Sequence, residues 1–152
     1  MYERAFHGRS IATLSATANV KLQQGFGPML EGFVRVPLND IEALKKATLS
    51  DPDVVAVFFE AIQGEGGIIV PAPGWMEDLR ELCDEFGILL VADEVQSGIG
   101  RTGKMWAIEH WGVKPDILCA AKGIASGMPI GAMTARADLM SWSKGHHGST
   151  FG

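Results

Sequence analysis

Three short apolar runs, each stopping at an ionisable side chain, constrain this chain more than any other feature. Residues 54–59 (Val-Val-Ala-Val-Phe-Phe) end at Glu60, residues 88–92 (Ile-Leu-Leu-Val-Ala) end at Asp93-Glu94, and residues 116–121 end at Lys122. Continuous apolar runs of this length are the pattern of strands buried on both faces. Between the first two, Met76, Leu79, Leu82, Cys83 and Phe86 recur at helical spacing, with acids and Arg80 between them. That spacing predicts a helix over 75–86, closed by Gly87 as its C-terminal cap. Residues 40–49 predict a short helix capped by Asn39 or Asp40, and residues 130–135 a fourth strand. Strands alternating with helices predict an α/β fold, a mainly parallel sheet with helices on both faces. In open sheets of this kind ligands bind beyond the carboxyl ends of the strands. Glu60, Asp93 and Lys122 are therefore expected to converge on one crevice.

The bulk properties fit such a domain. Hydrophobic residues make up 47% and charged residues 20% of 152 positions, enough for one packed core. The net charge of −5, with no run of Lys or Arg, argues against a nucleic-acid or acidic-membrane partner and for a small-molecule site. No apolar stretch approaches the ~18 residues of a membrane span, and residues 1–9 are polar, with no apolar signal segment. Cys83 and Cys119 lie in apolar runs and read as buried free thiols of a reducing cytoplasm. His146 and His147 have no metal-ligand spacing to any cysteine or acid, so no metal site is expected.

Lys122 lies in Leu-Cys-Ala-Ala-Lys-Gly-Ile-Ala-Ser-Gly. Apolar residues before it and small ones after it predict an amine stripped of part of its hydration. In that setting a lysine becomes a nucleophile for a carbonyl. Local context alone leaves a purely structural lysine open. Asp93 adds to the case, because a carboxylate at a neighbouring strand end suits the ring nitrogen of a pyridoxal cofactor. Its other reading is a cap on the turn that follows.

Residues 91–103, Val-Ala-Asp-Glu-Val-Gln-Ser-Gly-Ile-Gly-Arg-Thr-Gly, resemble the cofactor-ring motif of class III aminotransferases, the ornithine, acetylornithine and 4-aminobutyrate type. The stretch from Pro115 to Gly131, with its Ala-Lys-Gly, resembles that family's lysine segment, and three further segments extend the likeness over essentially the whole chain. The resemblance implies that Lys122 binds pyridoxal 5'-phosphate covalently and later serves as general base and acid. Asp93 would pair with the pyridine nitrogen, Val95 would pack on one ring face, and Gln96 would reach the ring hydroxyl. In Phe6-His7-Gly8-Arg9, Phe6 would stack on the opposite ring face and Arg9 would hold a substrate carboxylate, a surface ion pair being the other reading of Arg9. His7 reads as a local hydrogen-bonding residue rather than a catalyst.

Glu60-Ala-Ile-Gln-Gly-Glu65-Gly-Gly resembles the family's glutamate loop. Glu60 would lie near the cofactor hydroxyl. Glu65 would pair with a switching arginine from a C-terminal segment, so that one site accepts both an ω-amine donor and a 2-oxo acid. Ala61 stands where many members carry proline, which is expected to loosen the loop. Thr150, in His147-Gly-Ser-Thr150-Phe-Gly, would cross a homodimer interface to bind the phosphate of the partner's cofactor; an ordinary Gly-rich loop is the alternative.

The implied activity is transfer of an amino group from an ω-amino acid (4-aminobutyrate, ornithine or acetylornithine type) to a 2-oxo acid such as 2-oxoglutarate, in the cytoplasm. Residues 1–152 are expected to be an incomplete large, cofactor-binding domain of a fold-type I enzyme. The small domain and both flanking segments would be missing, leaving a piece that is weakly active or inactive alone. Aminomutases, racemases and a decarboxylase share the scaffold, and Gln96 favours the transaminases. Gly98-Ile-Gly-Arg-Thr-Gly103 also fits the dinucleotide pattern G-x-G-x-x-G of nicotinamide oxidoreductases. Five residues separate it from the strand, however, and Asp116 opens its strand instead of closing it.

Overall fold

The computed structural model describes residues 1–146 and Gly148. Four strands, β1 (Ala56–Glu60), β2 (Leu89–Asp93), β3 (Ile117–Ala120) and β4 (Ala132–Ala135), form one sheet in sequence order. β1, β2 and β3 run parallel, and β4 closes the edge antiparallel to β3. The helices are α1 (Ile11–Ala16), α2 (Val20–Gln23), α3 (Ile41–Ser50) and α4 (Trp75–Phe86). Among the described residues no helix is long and apolar enough to cross a membrane.

α4 forms where its periodicity predicts. Trp75, Met76, Leu79, Leu82 and Cys83 make one buried stripe, while Glu77 and Asp78 place negative charge in the first turn, where the helix dipole favours it. Gly87 ends the helix at φ 65°, a left-handed conformation that costs glycine little, and its N–H donates to the carbonyls of Cys83 and Asp84. For α3 the cap is Asp40, whose side chain accepts from the Ala43 amide at 2.8 Å. Asn39 instead accepts from the Ala72 amide.

Alternate residues of the strands meet different surroundings. Val57 and Phe59 of β1 and Leu90 and Ala92 of β2 are buried in one core with Leu44 of α3 and the apolar stripe of α4. Tyr2 packs edge-on against Trp75 in the same core, with ring centroids 4.9 Å apart. Complete burial of side chains such as Leu79 and Leu90 contributes about 1.5–3 kcal/mol each. On the opposite face Phe58, Leu89 and Val91 are half-buried, and the segment before α1 lies there, with the His7 ring stacked on Phe58.

A buried carboxylate, Asp116, fixes the start of β3. The Asp116 carboxylate accepts from the Leu90 amide at 2.7 Å, from Arg80 of α4 at 3.0 Å, and from Arg136 just past β4. Burial pushes its carboxyl up, but the Leu90 amide and the two guanidinium groups outweigh that and hold it below the usual carboxylate range. One side chain thus ties α4, β2, β3 and the edge strand together. Cys83 is buried as expected, whereas Cys119 is only half-buried, because it lies on the less covered face.

Candidate active site

Side-chain parity decides which face carries the chemistry. Since Val57 and Phe59 point into the α4 core, Phe58 and Glu60 point away from it; since Leu90 and Ala92 point in, Val91 and Asp93 point away. Strand register sets Glu60 beside Asp93, and Asp93 beside Cys119. Lys122 follows two residues after β3 ends, at φ 46°. The three ionisable groups therefore lie at one edge of the sheet, Glu60 and Asp93 on the face away from α4 and Lys122 in the turn beyond β3.

Glu60 and Asp93 are both buried there, 8% and 6% exposed. Asp93 is held from two sides: Oδ1 accepts from the Val95 amide at 3.1 Å, and Oδ2 lies 2.8 Å from His7 Nδ1. His7 therefore bonds a partner 86 residues away and is not a local hydrogen-bonding residue. Glu60 accepts from the Phe6 amide through Oε1 and from the Gly64 amide through Oε2, both at 2.9 Å. Burial pushes the Glu60 carboxyl above the ordinary carboxylate range against the pull of these two amides.

These bonds link two clefts. One, of about 530 Å³, is lined by Ile62, Gly64, Gln96, Ile99, Lys122 and Gly123 among others. Lys122 Nζ donates to Gln96 Oε1 at 2.8 Å within it. Gly64 allows that arrangement, because a Cβ there would sit 2.4 Å from Gln96 Nε2. Lys122 itself is exposed in this chain. The dehydration expected from its apolar flank is not met, because Leu118 and Cys119 belong to the sheet and the residues beside the amine are too small to cover it. The second cleft, of about 560 Å³, is lined by Phe6, Arg9, Lys21 and Glu65 with their neighbours. Arg9 lies over the Phe6 ring, 5.8 Å from its centroid, and among the described residues it forms no ion pair. Through Phe6 on one side and Gly64 on the other, Glu60 joins the two clefts.

In the glutamate loop Ala61 is fully buried. Gln63 pairs with Ile69 across the loop, and its side chain donates to the Glu3 carbonyl. Val95 and Gln96 are half-buried at the site, while Glu65 is exposed. Thr150 and His147 lie outside the described residues. Among those described, no group of three or more His, Cys, Asp or Glu is placed to hold a metal ion.

The glycines at 98–103 do not build a dinucleotide turn. Among the described residues no α-helix follows them; the chain turns back so that Trp106 packs on Gly98, where a Cβ would lie 2.7 Å from the Glu94 carbonyl and 2.8 Å from the Trp106 ring. Sequence reading missed the His7–Asp93 bond and Thr17, whose hydroxyl accepts from the His7 amide at 3.0 Å. Only the neighbourhood of Phe6 and Arg9 drew attention to that segment.

Comparison with known proteins agrees with this layout. The Aminotransferase class-III family matches residues 1–152. The chain is 51% identical over 150 residues to the acetylornithine aminotransferase of Caldanaerobacter subterraneus subsp. tengcongensis, covering 99% of this chain and 38% of that protein. It is 50% identical over 151 residues to the one of Nitrosomonas europaea, with the same two coverages. Among solved structures it is similar to the ornithine aminotransferase of Toxoplasma gondii ME49, with a TM-score of 0.93 and 42% identity over 99% of this chain and 36% of that one. A transaminase from the marine bacterium Virgibacillus gives a TM-score of 0.91 at 34% identity, over 99% of this chain and 38% of that one. The chain thus spans 38% of the length of the first curated relatives it matches. With a full-length family match and the Glu60, Asp93 and Lys122 edge in place, the chain belongs to the class-III aminotransferase family.

Proposed function

We propose that the protein carrying these residues is a pyridoxal-phosphate-dependent transaminase. It moves an amino group from an ω-amino acid of the acetylornithine, ornithine or 4-aminobutyrate type to a 2-oxo acid such as 2-oxoglutarate. The observation that carries this reading is Asp93, buried and doubly held at the end of β2, on the same sheet edge as the exposed Lys122 amine.

The donor set suits the cofactor. A carboxylate accepts up to about four hydrogen bonds, and Asp93 uses two, which leaves acceptor capacity for a protonated ring nitrogen. When bound, pyridoxal phosphate supplies an electron sink that lets a proton leave the substrate carbon. Lys122 Nζ, exposed and bonded only to a neutral amide oxygen among the described residues, would make the covalent link and, once displaced, hold and move that proton. Gln96 Oε1 orients Nζ, and the Gln96 amide nitrogen would serve the ring hydroxyl. Phe6 and Val95 supply ring contacts, and Glu60, pinned by two amides, fixes the Phe6 backbone. Arg9 presents a guanidinium to a substrate carboxylate in the cleft it shares with Glu65. Glu65 is left to pair with an arginine elsewhere in the protein.

On this reading residues 1–152 are part of the large domain of a cytoplasmic homodimer, in which Thr150 would bind the partner's cofactor phosphate. The test is to supply N-acetylornithine, ornithine or 4-aminobutyrate, each with 2-oxoglutarate, and measure the glutamate formed. The relatives' names favour N-acetylornithine. Glutamate formation that needs pyridoxal phosphate and is lost in Lys122→Ala supports the reading. Racemisation or isomerisation without net amino transfer overturns it.

A further inference from the structure

We infer that Lys21 is a specificity-determining residue of the Arg9 cleft: its ammonium group disfavours a donor that carries a second positive charge beside its carboxylate. The site then selects a donor whose α-amine is acylated, and so neutral, over the free diamino acid. The inference rests on the transaminase reading above and deepens it, because it says which donor this chain's own residues select and by what force.

On that reading the ω-amine reacts at Lys122 in one cleft and the carboxylate meets Arg9 in the other, so the donor's α-carbon sits in the Arg9 cleft. In ornithine that carbon bears an ammonium group, in N-acetylornithine a neutral amide, in 4-aminobutyrate only hydrogen. The ionisable residues lining the Arg9 cleft are Arg4, Arg9, Lys21 and Glu65, three cations against one acid. None of the three cations is in an ion pair among the described residues. Glu65 is the one lining group that would attract an ammonium, and the same reading commits it to an arginine elsewhere in the protein. The Arg4 guanidinium lies along the glutamate loop, where a Cβ on Gly67 would be 3.4 Å from Nη2. With Arg9 on the carboxylate, Lys21 is the cation left uncommitted, and a second ammonium in the same cleft is repelled by it.

Lys21 is exposed, but its backbone is held at the cleft. Its amide donates to Asn19 Oδ1 at 3.1 Å, and the Ala18 amide donates to the Ala5 carbonyl at 2.9 Å. Gln23 Nε2 donates to the carbonyls of Leu14 and Thr17, both at 3.0 Å, which fastens α2 to α1. The glutamate loop is tied to the same segment. Gln63 donates to the Glu3 carbonyl at 2.9 Å, and a Cβ on Gly66 would lie 2.3 Å from the Arg4 carbonyl oxygen. Both sides of the cleft are therefore anchored, and Lys21 brings a compact charge on a flexible stem between them. Val20 and Leu22, its neighbours in α2, also line the cleft and offer apolar surface to an acyl methyl group.

The test uses the full protein with pyridoxal phosphate bound, as wild type, Lys21→Met and Lys21→Arg. Lys21→Met keeps the stem and removes the charge; Lys21→Arg keeps the charge. For each, kcat/KM is measured at low salt with N-acetylornithine, ornithine and 4-aminobutyrate, 2-oxoglutarate being the acceptor throughout. The expected result in Lys21→Met is a rise of about three- to fivefold in the ratio of ornithine to N-acetylornithine, the size of one exposed charge contact. Lys21→Arg should keep the wild-type ratio. The ratio of 4-aminobutyrate to N-acetylornithine should not move, because neither carries the second charge. Raising the salt should shrink the difference between wild type and Lys21→Met. A lysine that only supports the fold would change all three donors alike. An unchanged ornithine ratio in Lys21→Met, a shift in Lys21→Arg as large as in Lys21→Met, or a shift indifferent to salt overturns the inference and leaves the transaminase reading standing. Absence of amino transfer from every donor in the wild type sinks both.

Discussion

Glu94 follows Asp93 in the chain but points the opposite way, into the protein, where it is fully buried. Its Oε1 accepts from the Ile108 amide at 2.8 Å and its Oε2 bonds the Ser97 hydroxyl. Glu94→Ala strips both groups of their partner. The Ile108 amide is fixed and buried, so its loss costs about 1–3 kcal/mol. The Ser97 hydroxyl can rotate, which holds its share near about 1 kcal/mol, and one lost methylene adds about 0.8 kcal/mol. The variant should therefore be destabilised by about 3–5 kcal/mol. Glu94→Gln keeps an oxygen for Ile108 and offers an N–H to Ser97, so it should cost less than about 1 kcal/mol. Urea unfolding followed by tryptophan fluorescence checks both, since Trp106 packs on Gly98 beside this cluster. A Glu94→Ala variant within about 1 kcal/mol of wild type, or a Glu94→Gln variant as damaged as Glu94→Ala, would show that these two bonds do not hold the turn.

Other consequences concern packing, pH and thiol chemistry. Gly98→Ala drives a methyl into the Glu94 carbonyl and the Trp106 ring and should cost about 1–3 kcal/mol in thermal unfolding, whereas a neutral result would mean that the turn relaxes. Asp116 is held below the ordinary carboxylate range, so its contribution is complete above pH about 4 and is lost as pH falls through and below that value. Unfolding midpoints measured against pH should accordingly fall more steeply below about pH 4 in the wild type than in Asp116→Asn. Burial pushes the Cys83 thiol up to about 12, so iodoacetamide at pH 8 should leave it unlabelled in the native protein and label it in urea, as read by mass spectrometry.

Strand ends were the most legible part of this sequence, because a buried strand that meets a charge has to stop or leave the sheet. Glu60 and Asp93 end β1 and β2 as expected, and α4 spans Trp75–Phe86 because periodicity and Gly87 agree on both boundaries. The sheet begins two residues later than the apolar run 54–59, since Val55 is exposed and only its carbonyl meets β2. α1 and α2 were not legible: they are four to six residues long, too short for a helical period to repeat. Nor could the antiparallel direction of β4 be read, because it depends on the turn after Lys122 and on Arg136 reaching back to Asp116. At the site, residues adjacent to a strand end were found, whereas His7 was misread because its partner is remote in sequence and no local pattern encodes the bond. The exposure of Lys122 was hidden for a related reason: an apolar neighbour in sequence can point into a sheet rather than over the amine.

Everything proposed for the site depends on the Lys122 amine carrying the cofactor. The most direct measurement is to mix the protein with pyridoxal phosphate, reduce with borohydride, digest, and locate the adduct by mass spectrometry. The expected product is a pyridoxyl group on Lys122 that disappears in Lys122→Ala. A modification on other lysines, with Lys122 unmodified in the cofactor-loaded protein, would contradict it.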